Sequence, residues 1–320
     1  NISLMDSVIP EINNKKTTYD EFIINSTNLN GTIIDSFIDY CTLEFAANTF
    51  KPATQTIDVG TSIEDMVAHP DGNKVYTVNR LGGNQVLVYD NSNNKVTEIN
   101  VSNWPTRMVL DESRRELYIY SHFASAVDII NIDDDVLTAS IDLTKSGVAQ
   151  SRTHFIPEIA YDSGRQSLYI SIPEQGLIVE VNTSSQSVTQ VLDVFDPISD
   201  EDDHGDSSTN VGRVQLAVDG YSSKLFVFYR DEKILHILDP FNNLSIKQEI
   251  DLGDKEDLTG SFGTEVLTMD TKYRRLFVGP HVYTVTGGTL TDQDTKIKHI
   301  EKVIGVQDDY LIGVSEDNNE

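Results

Sequence analysis

The chain has 320 residues, with 51 Asp and Glu against 24 Lys and Arg, a formal net charge of −27. That length builds one large domain or two ordinary ones with a real core, while a balance this acidic argues against nucleic acid, whose phosphates need Lys and Arg. No stretch approaches the roughly 20 apolar residues of a membrane helix, and the lone Cys41 excludes a disulfide framework, a multi-thiolate zinc site and a C-x-x-C-H haem attachment.

The chain opens at Asn1 rather than Met, which fits removal of an upstream signal segment. Six N-x-Ser/Thr sequons, at Asn1, Asn25, Asn30, Asn100, Asn182 and Asn243, point the same way. They carry little weight, because this composition alone gives about four. Residues 1–17 contain the apolar run Ile2–Ile9 and are expected to be a separate closing strand.

From residue 60 the sequence repeats. Met66-Val67-Ala68 reads as a strand, His69-Pro70-Asp71-Gly72-Asn73 as a tight turn, and Lys74 to Val78 as a second strand. Gln85 to Asp90 and Val96 to Val101 follow as a third and fourth. The same order of apolar strand, polar turn and aromatic-bearing strand returns at Met108 to Tyr120, Ile159 to Ile170, Val214 to Phe228 and Val266 to Val278. The aromatic landmarks Tyr76, Tyr118, Tyr169, Phe226 and Phe277 lie 42, 51, 57 and 51 residues apart. No apolar stripe at helical spacing competes with this period-two pattern. A four-stranded meander has two apolar faces and cannot bury both alone, and packing meanders around an axis does so. The fold expected is therefore all-β, a propeller of four-stranded antiparallel blades at about 18–59, 60–102, 103–148, 149–195, 205–255, 260–298 and, incompletely, 299–320.

The strand Val75-Tyr76-Thr77-Val78, the polar turn before it and the closing Val88-Tyr89-Asp90 resemble the YVTN repeat, and the same tetrapeptide recurs at Val282-Tyr283-Thr284-Val285. The resemblance covers most of residues 18–315. It implies a propeller of the kind found in prokaryotic surface-layer and other extracellular proteins, hence a secreted, periplasmic or cell-surface location. More distantly the chain resembles lactonase-type and streptogramin-lyase-type propellers and the propeller subunits of amine dehydrogenases. A likeness of this kind specifies fold far better than function.

One charged residue precedes each first strand: Glu21, Asp65, Arg107, Glu158, Arg213, Glu265 and Lys302. Seven such positions support seven blades. Six remain an alternative, with residues 41–59 completing the last. The signs run −, −, +, −, +, −, + and would line one mouth of an axial channel. Such a ring ties adjacent blades together, holds a polar ligand or ion on the axis, or reflects only the common placing of charges before strands. His154, Glu158, Arg107 and Arg213 are the cluster a lactonase- or lyase-like enzyme acting on a small polar substrate would need there, although no family catalytic motif matches residue by residue.

Residues 196–206 carry six carboxylates in eleven positions. Asp200, Asp202 and Asp206 fall at positions 1, 3 and 7 of an EF-like loop, with Gly205 at position 6. Position 12 is Val211 and no helices flank the loop, so the EF-hand match fails. A looser Ca²⁺ loop and a solvated acidic insertion remain the two readings. Nucleophile-elbow, P-loop and dinucleotide motifs are absent. The functional expectation is a non-catalytic binding or assembly module. Its partner would be a protein, a glycan or a neighbouring subunit of a layer, filament or electron-transfer assembly, with any redox group supplied by that partner.

Overall fold

The computed structural model of the chain describes residues 21–25, 63–79, 83–90, 95–151, 157–194, 197, 214–230, 232–253, 267–296, 300–307 and 310–315. Five four-stranded antiparallel sheets are each a meander of consecutive strands. The first is β2 (Ile63–Ala68), β3 (Lys74–Asn79), β4 (Gln85–Asp90) and β5 (Lys95–Asn100). The second is β6 (Pro105–Asp111), β7 (Glu116–Ser121), β8 (Ala126–Asn131) and β9 (Val136–Asp142). The third is β10 (Ile159–Asp162), β11 (Ser167–Ile172), β12 (Leu177–Asn182) and β13 (Ser187–Asp193). The fourth is β14 (Val214–Asp219), β15 (Lys224–Tyr229), β16 (Ile234–Asp239) and β17 (Ser245–Asp251). The fifth is β18 (Leu267–Asp270), β19 (Arg275–Val278), β20 (His281–Thr286) and β21 (Thr289–Lys296).

The sixth sheet departs from the sequence expectation. Among the described residues it has three strands, in the order β1 (Glu21–Asn25), β23 (Tyr310–Ser315), β22 (Ile300–Gln307). Glu21 pairs with Val314 and Asn25 with Tyr310. The run Phe22-Ile23-Ile24, expected to open a blade of its own, instead satisfies its main chain on β23. Glu21 therefore opens a strand of the sheet that β22 and β23 build. The N-terminal segment does join the C-terminal sheet, as expected, but through residues 21–25. Residues 1–17 and 41–59, assigned to closure and to the last blade, lie outside the described residues.

Two compact units divide the chain, one of residues 58–223 with 240–244 and one of the remainder. In the first unit the second strands are the core. Tyr76, Tyr118 and Tyr169 are buried, with Leu117, Ile119, Leu168 and Ile170 beside them. Outer strands shield only alternate residues, and those in part, as β13 shows along Ser187–Asp193. That is the period-two signature of a strand with one wet face. In the second unit Phe226, Phe228 and Phe277 fill the equivalent places. The two YVTN tetrapeptides are not equivalent. Val75–Val78 lies in β3, the second strand of its sheet, whereas Val282–Val285 lies in β20, the third.

Candidate functional site

The first strands β2 and β6 both open with a register shift in their pairing, between Ile63 and Asp65 and between Pro105 and Arg107. The sixth sheet repeats it between Ile300 and Lys302. A bulge places one extra residue on a strand and re-aims the side chains around it. Asp65, Arg107 and Lys302, three of the seven ring positions inferred from sequence, each follow such a shift.

In the first unit these bulges build an ionic cluster across three sheets. Arg107, buried at the start of β6, donates from Nη2 and Nε to Glu158 Oε1 at 2.7 and 3.1 Å. Its Nη1 reaches Glu64 Oε1 at 3.4 Å and the Thr106 carbonyl at 3.2 Å. Side-chain exposures of 8, 10 and 7 % for Arg107, Glu158 and Glu64 put the cluster largely out of water, where a buried charge persists only with its partners. Asp65 serves differently. It accepts the Met108 N–H on Oδ2 at 2.6 Å, fastening β2 to the second sheet through a main-chain donor. Glu158 is itself held by Ser171, whose Oγ accepts the Glu158 N–H at 2.8 Å. Sequence reasoning chose Asp65 and missed Glu64. The adjacent acidic pair was the available signal, since an irregular strand start directs the two side chains to different tasks.

The same ends of β6, β7 and β10 carry a second buried group that the sequence did not single out. The Ser151 hydroxyl lies 2.7 Å from His122 Nε2. The Ser151 N–H donates to Ser125 Oγ, which in turn donates to the Ala149 carbonyl. Trp104, in the left-handed region at φ 57°, packs its ring edge-on against Phe123 at 4.0 Å and His122 at 5.8 Å. Tyr120 is fully buried beside them, and desolvation together with the Glu174 carboxylate pushes its hydroxyl well above the ordinary tyrosine range. These are the contacts of a packed polar layer.

The opposite ends of the strands are tied by tyrosine–carboxylate pairs. Tyr76 donates to Asp135 Oδ1 at 2.6 Å, joined there by Lys74 Nζ. Tyr161 donates to Asp111 Oδ2 at 2.5 Å. Burial and the Asp111 carboxylate push the Tyr161 hydroxyl up to about 12. Burial pushes Asp111 up, but donors from Ser113, Tyr161 and the Arg114 and Ser113 amides outweigh it and hold the carboxyl below its ordinary range. Hydrogen bonding from Arg115 likewise holds Asp71 low.

Of the enzyme-like cluster, Arg107 and Glu158 are brought together, while His154 and Arg213 lie outside the described residues. So do Glu265 and the loop residues Asp200, Asp202 and Asp206. Glu21 and Lys302 lie on strands whose side chains are also outside the description. Among the described residues no group of three or more His, Cys, Asp or Glu side chains could hold a metal ion, and no helix is long and apolar enough to cross a membrane.

The structure is similar to virginiamycin B lyase from Staphylococcus aureus, with a TM-score of 0.53 and 12% identity over 85% of this chain and 83% of that one. It also matches hydrazine synthase of Kuenenia stuttgartiensis (TM-score 0.49, 12% identity, 82% of this chain and 90% of that one). A partial match is apo AztD from Citrobacter koseri, with a TM-score of 0.36 and 13% identity over 46% of this chain and 39% of that one. No family model and no curated protein matches the sequence. The likeness to the lyase shows fold alone. The chain is a β-propeller of four-stranded antiparallel blades.

Proposed function

We propose that this chain is a non-catalytic binding and assembly module that works outside the cytoplasm or at a cell surface, presenting loops from a stiff propeller. One observation carries the reading. The cation expected to meet a substrate at the mouth of the strands, Arg107, is instead buried between Glu158 and Glu64 and ties three sheets together. A catalytic Arg aims donors at the place where charge develops in a transition state, whereas these donors are engaged by the protein's own carboxylates. The YVTN-like strand Val75–Val78 supports the extracellular setting, and the net charge of −27 suits a protein kept soluble there.

The test is Arg107→Ala. Removing one member of a buried ionic cluster strands the others, so urea denaturation should show a loss of about 3–5 kcal/mol. The parent protein should give no product above blank with a panel of lactones or with virginiamycin B. Turnover by the parent that Arg107→Ala abolishes, while circular dichroism shows the fold retained, would overturn the reading in favour of an axial enzyme.

A further inference from the structure

The six N-x-Ser/Thr sequons are alike in sequence, but the structure separates the three whose side chains it describes, at Asn100, Asn182 and Asn243. Asn1 and Asn30 lie outside the described residues, and Asn25 lies on β1, whose side chains are outside the description. N-glycosylation joins the Asn Nδ2 to the anomeric carbon of a sugar carried on a lipid pyrophosphate. The bond from that carbon to the pyrophosphate oxygen breaks, the lipid pyrophosphate leaves with the electron pair, and the amide gives up one proton to the transferase. A folded acceptor must therefore stand at the surface, and its chain must bend so that the hydroxyl two residues on can approach the amide.

Two of the three sequons fail these demands. Asn100 pairs with Gln85 in the β4–β5 ladder, so its main chain is extended. The Ser102 hydroxyl of its sequon donates to Oδ1 of the fully buried Asp128 at 2.9 Å. Asn182 pairs with Ser167 and Ser187 in two ladders. Its side-chain oxygen accepts the Ser185 N–H at 2.8 Å and the Ser185 hydroxyl at 3.0 Å. The Ser184 hydroxyl of its sequon donates to Gln166.

Asn243 meets them. It lies between the 3₁₀ turn Pro240–Asn242 and β17, outside any ladder. Asn243 and Leu244 both adopt left-handed backbone, at φ 52° each, which reverses the chain and takes Asn243 out of extended geometry. Pro240 and Leu244 are buried to either side of it, while Phe241, Asn242 and Asn243 are exposed in a row. The turn is anchored at two points and its tip stands in water. Among the described residues nothing holds the Asn243 side chain. Phe241 adds a reason for a glycan here. Its ring is 72 % exposed even with the Arg165 guanidinium over one face. Cα atoms two residues apart are never more than about 7 Å apart, so a glycan on Asn243 begins within reach of this ring and can cover apolar surface otherwise left in water.

We propose that Asn243 is an N-glycosylation site and that Asn100 and Asn182 stay unmodified, an inference that rests on the placing of the chain outside the cytoplasm and names a modification it receives there. The experiment takes the full chain from its source cells, with cytoplasmic and extracytoplasmic fractions kept apart, and digests it with trypsin. Asn100, Asn182 and Asn243 then fall in separate peptides, 96–107, 166–213 and 234–247. Electron-transfer fragmentation of peptide 234–247 should place a sugar mass on Asn243, with the other two peptides unmodified. Asn243→Gln and Ser245→Ala, expressed in the same cells, should each abolish that mass, and Asn242→Gln should leave it. A peptide 234–247 without sugar in protein recovered outside the cytoplasm overturns the site and leaves the location standing. Unmodified protein found only in the cytoplasm overturns both. Sugar that persists in Ser245→Ala, or sugar on Asn100 or Asn182, overturns the assignment. None of these outcomes touches the non-catalytic reading, which falls only on turnover dependent on Arg107.

Discussion

Asp111 illustrates how a single side chain serves two neighbours. One oxygen accepts the Ser113 and Arg114 amides and shapes the turn after β6, and the other takes the Tyr161 hydroxyl from the third sheet. Its carboxyl is held below the ordinary 3.8. A depressed acid contributes stability above its unfolded value and loses it as pH falls through the folded one. The parent protein should therefore weaken as pH drops below about 4. Asp111→Asn, which has no charge to titrate, should be less stable at pH 6 and show a shallower acid limb. Urea denaturation at several pH values from 6 down to 3 measures both, and equal slopes for the two proteins would deny the linkage. In the sequence Asp111 is visible only as the residue that ends a strand; its bond to Tyr161 joins residues 50 apart and leaves no local trace.

The hairpin turns repeat a geometry as well as a composition. Asp111, Asp162, Asp219 and Asp270 each close a first strand and accept backbone amides of the turn that follows. Four residues later Arg115, Gln166, Ser223 and Arg274 adopt positive φ. In the first sheet His69 takes the Asp role, its Nδ1 accepting the Asp71 N–H, and Gly72 supplies the positive φ. The turns between third and fourth strands do likewise, at Asp135 and Gln186. A side chain in the left-handed region carries a steric cost that glycine avoids, partly offset by glycine's extra freedom when unfolded. Gln186 is exposed, so Gln186→Gly should stabilise the protein by about 0.5–1 kcal/mol, read as a rise in the urea midpoint at constant slope. A fall would show that Gln186 makes contributions beyond its backbone. Strands and turns were legible in the residues because alternation and Asp, Gly and Asn signals are local. The bulges before Asp65 and Arg107 were not, because they depend on pairing with β3 and β7, and that is why Glu64 escaped notice.

At the scale of the whole molecule, the repeat specified sheets that the structure contains, with all five landmark aromatics, Tyr76, Tyr118, Tyr169, Phe226 and Phe277, buried in second strands as the spacing implied. What the repeat could not specify is where Phe22-Ile23-Ile24 pairs, since an apolar triplet suits any open sheet edge. Its place on β23 gives a test. Deleting residues 1–25 removes β1 and bares the main chain of β23, an invitation to edge-to-edge association. The expected outcome is a lower, less cooperative melting transition by calorimetry and aggregation on size exclusion, and a truncated chain as stable and monomeric as its parent would contradict it.

The β1–β23 ladder also sets an order of events during biosynthesis. The first of these strands leaves the ribosome well before its mate, with the four-stranded sheets made in between. Long-range pairing is slow to form and leaves its segments open to wrong associations meanwhile. The apolar triplet of β1 must therefore wait, unsatisfied, until β23 has been made. A cell making this protein has reason to shield that short stretch with a chaperone until its partner strand emerges.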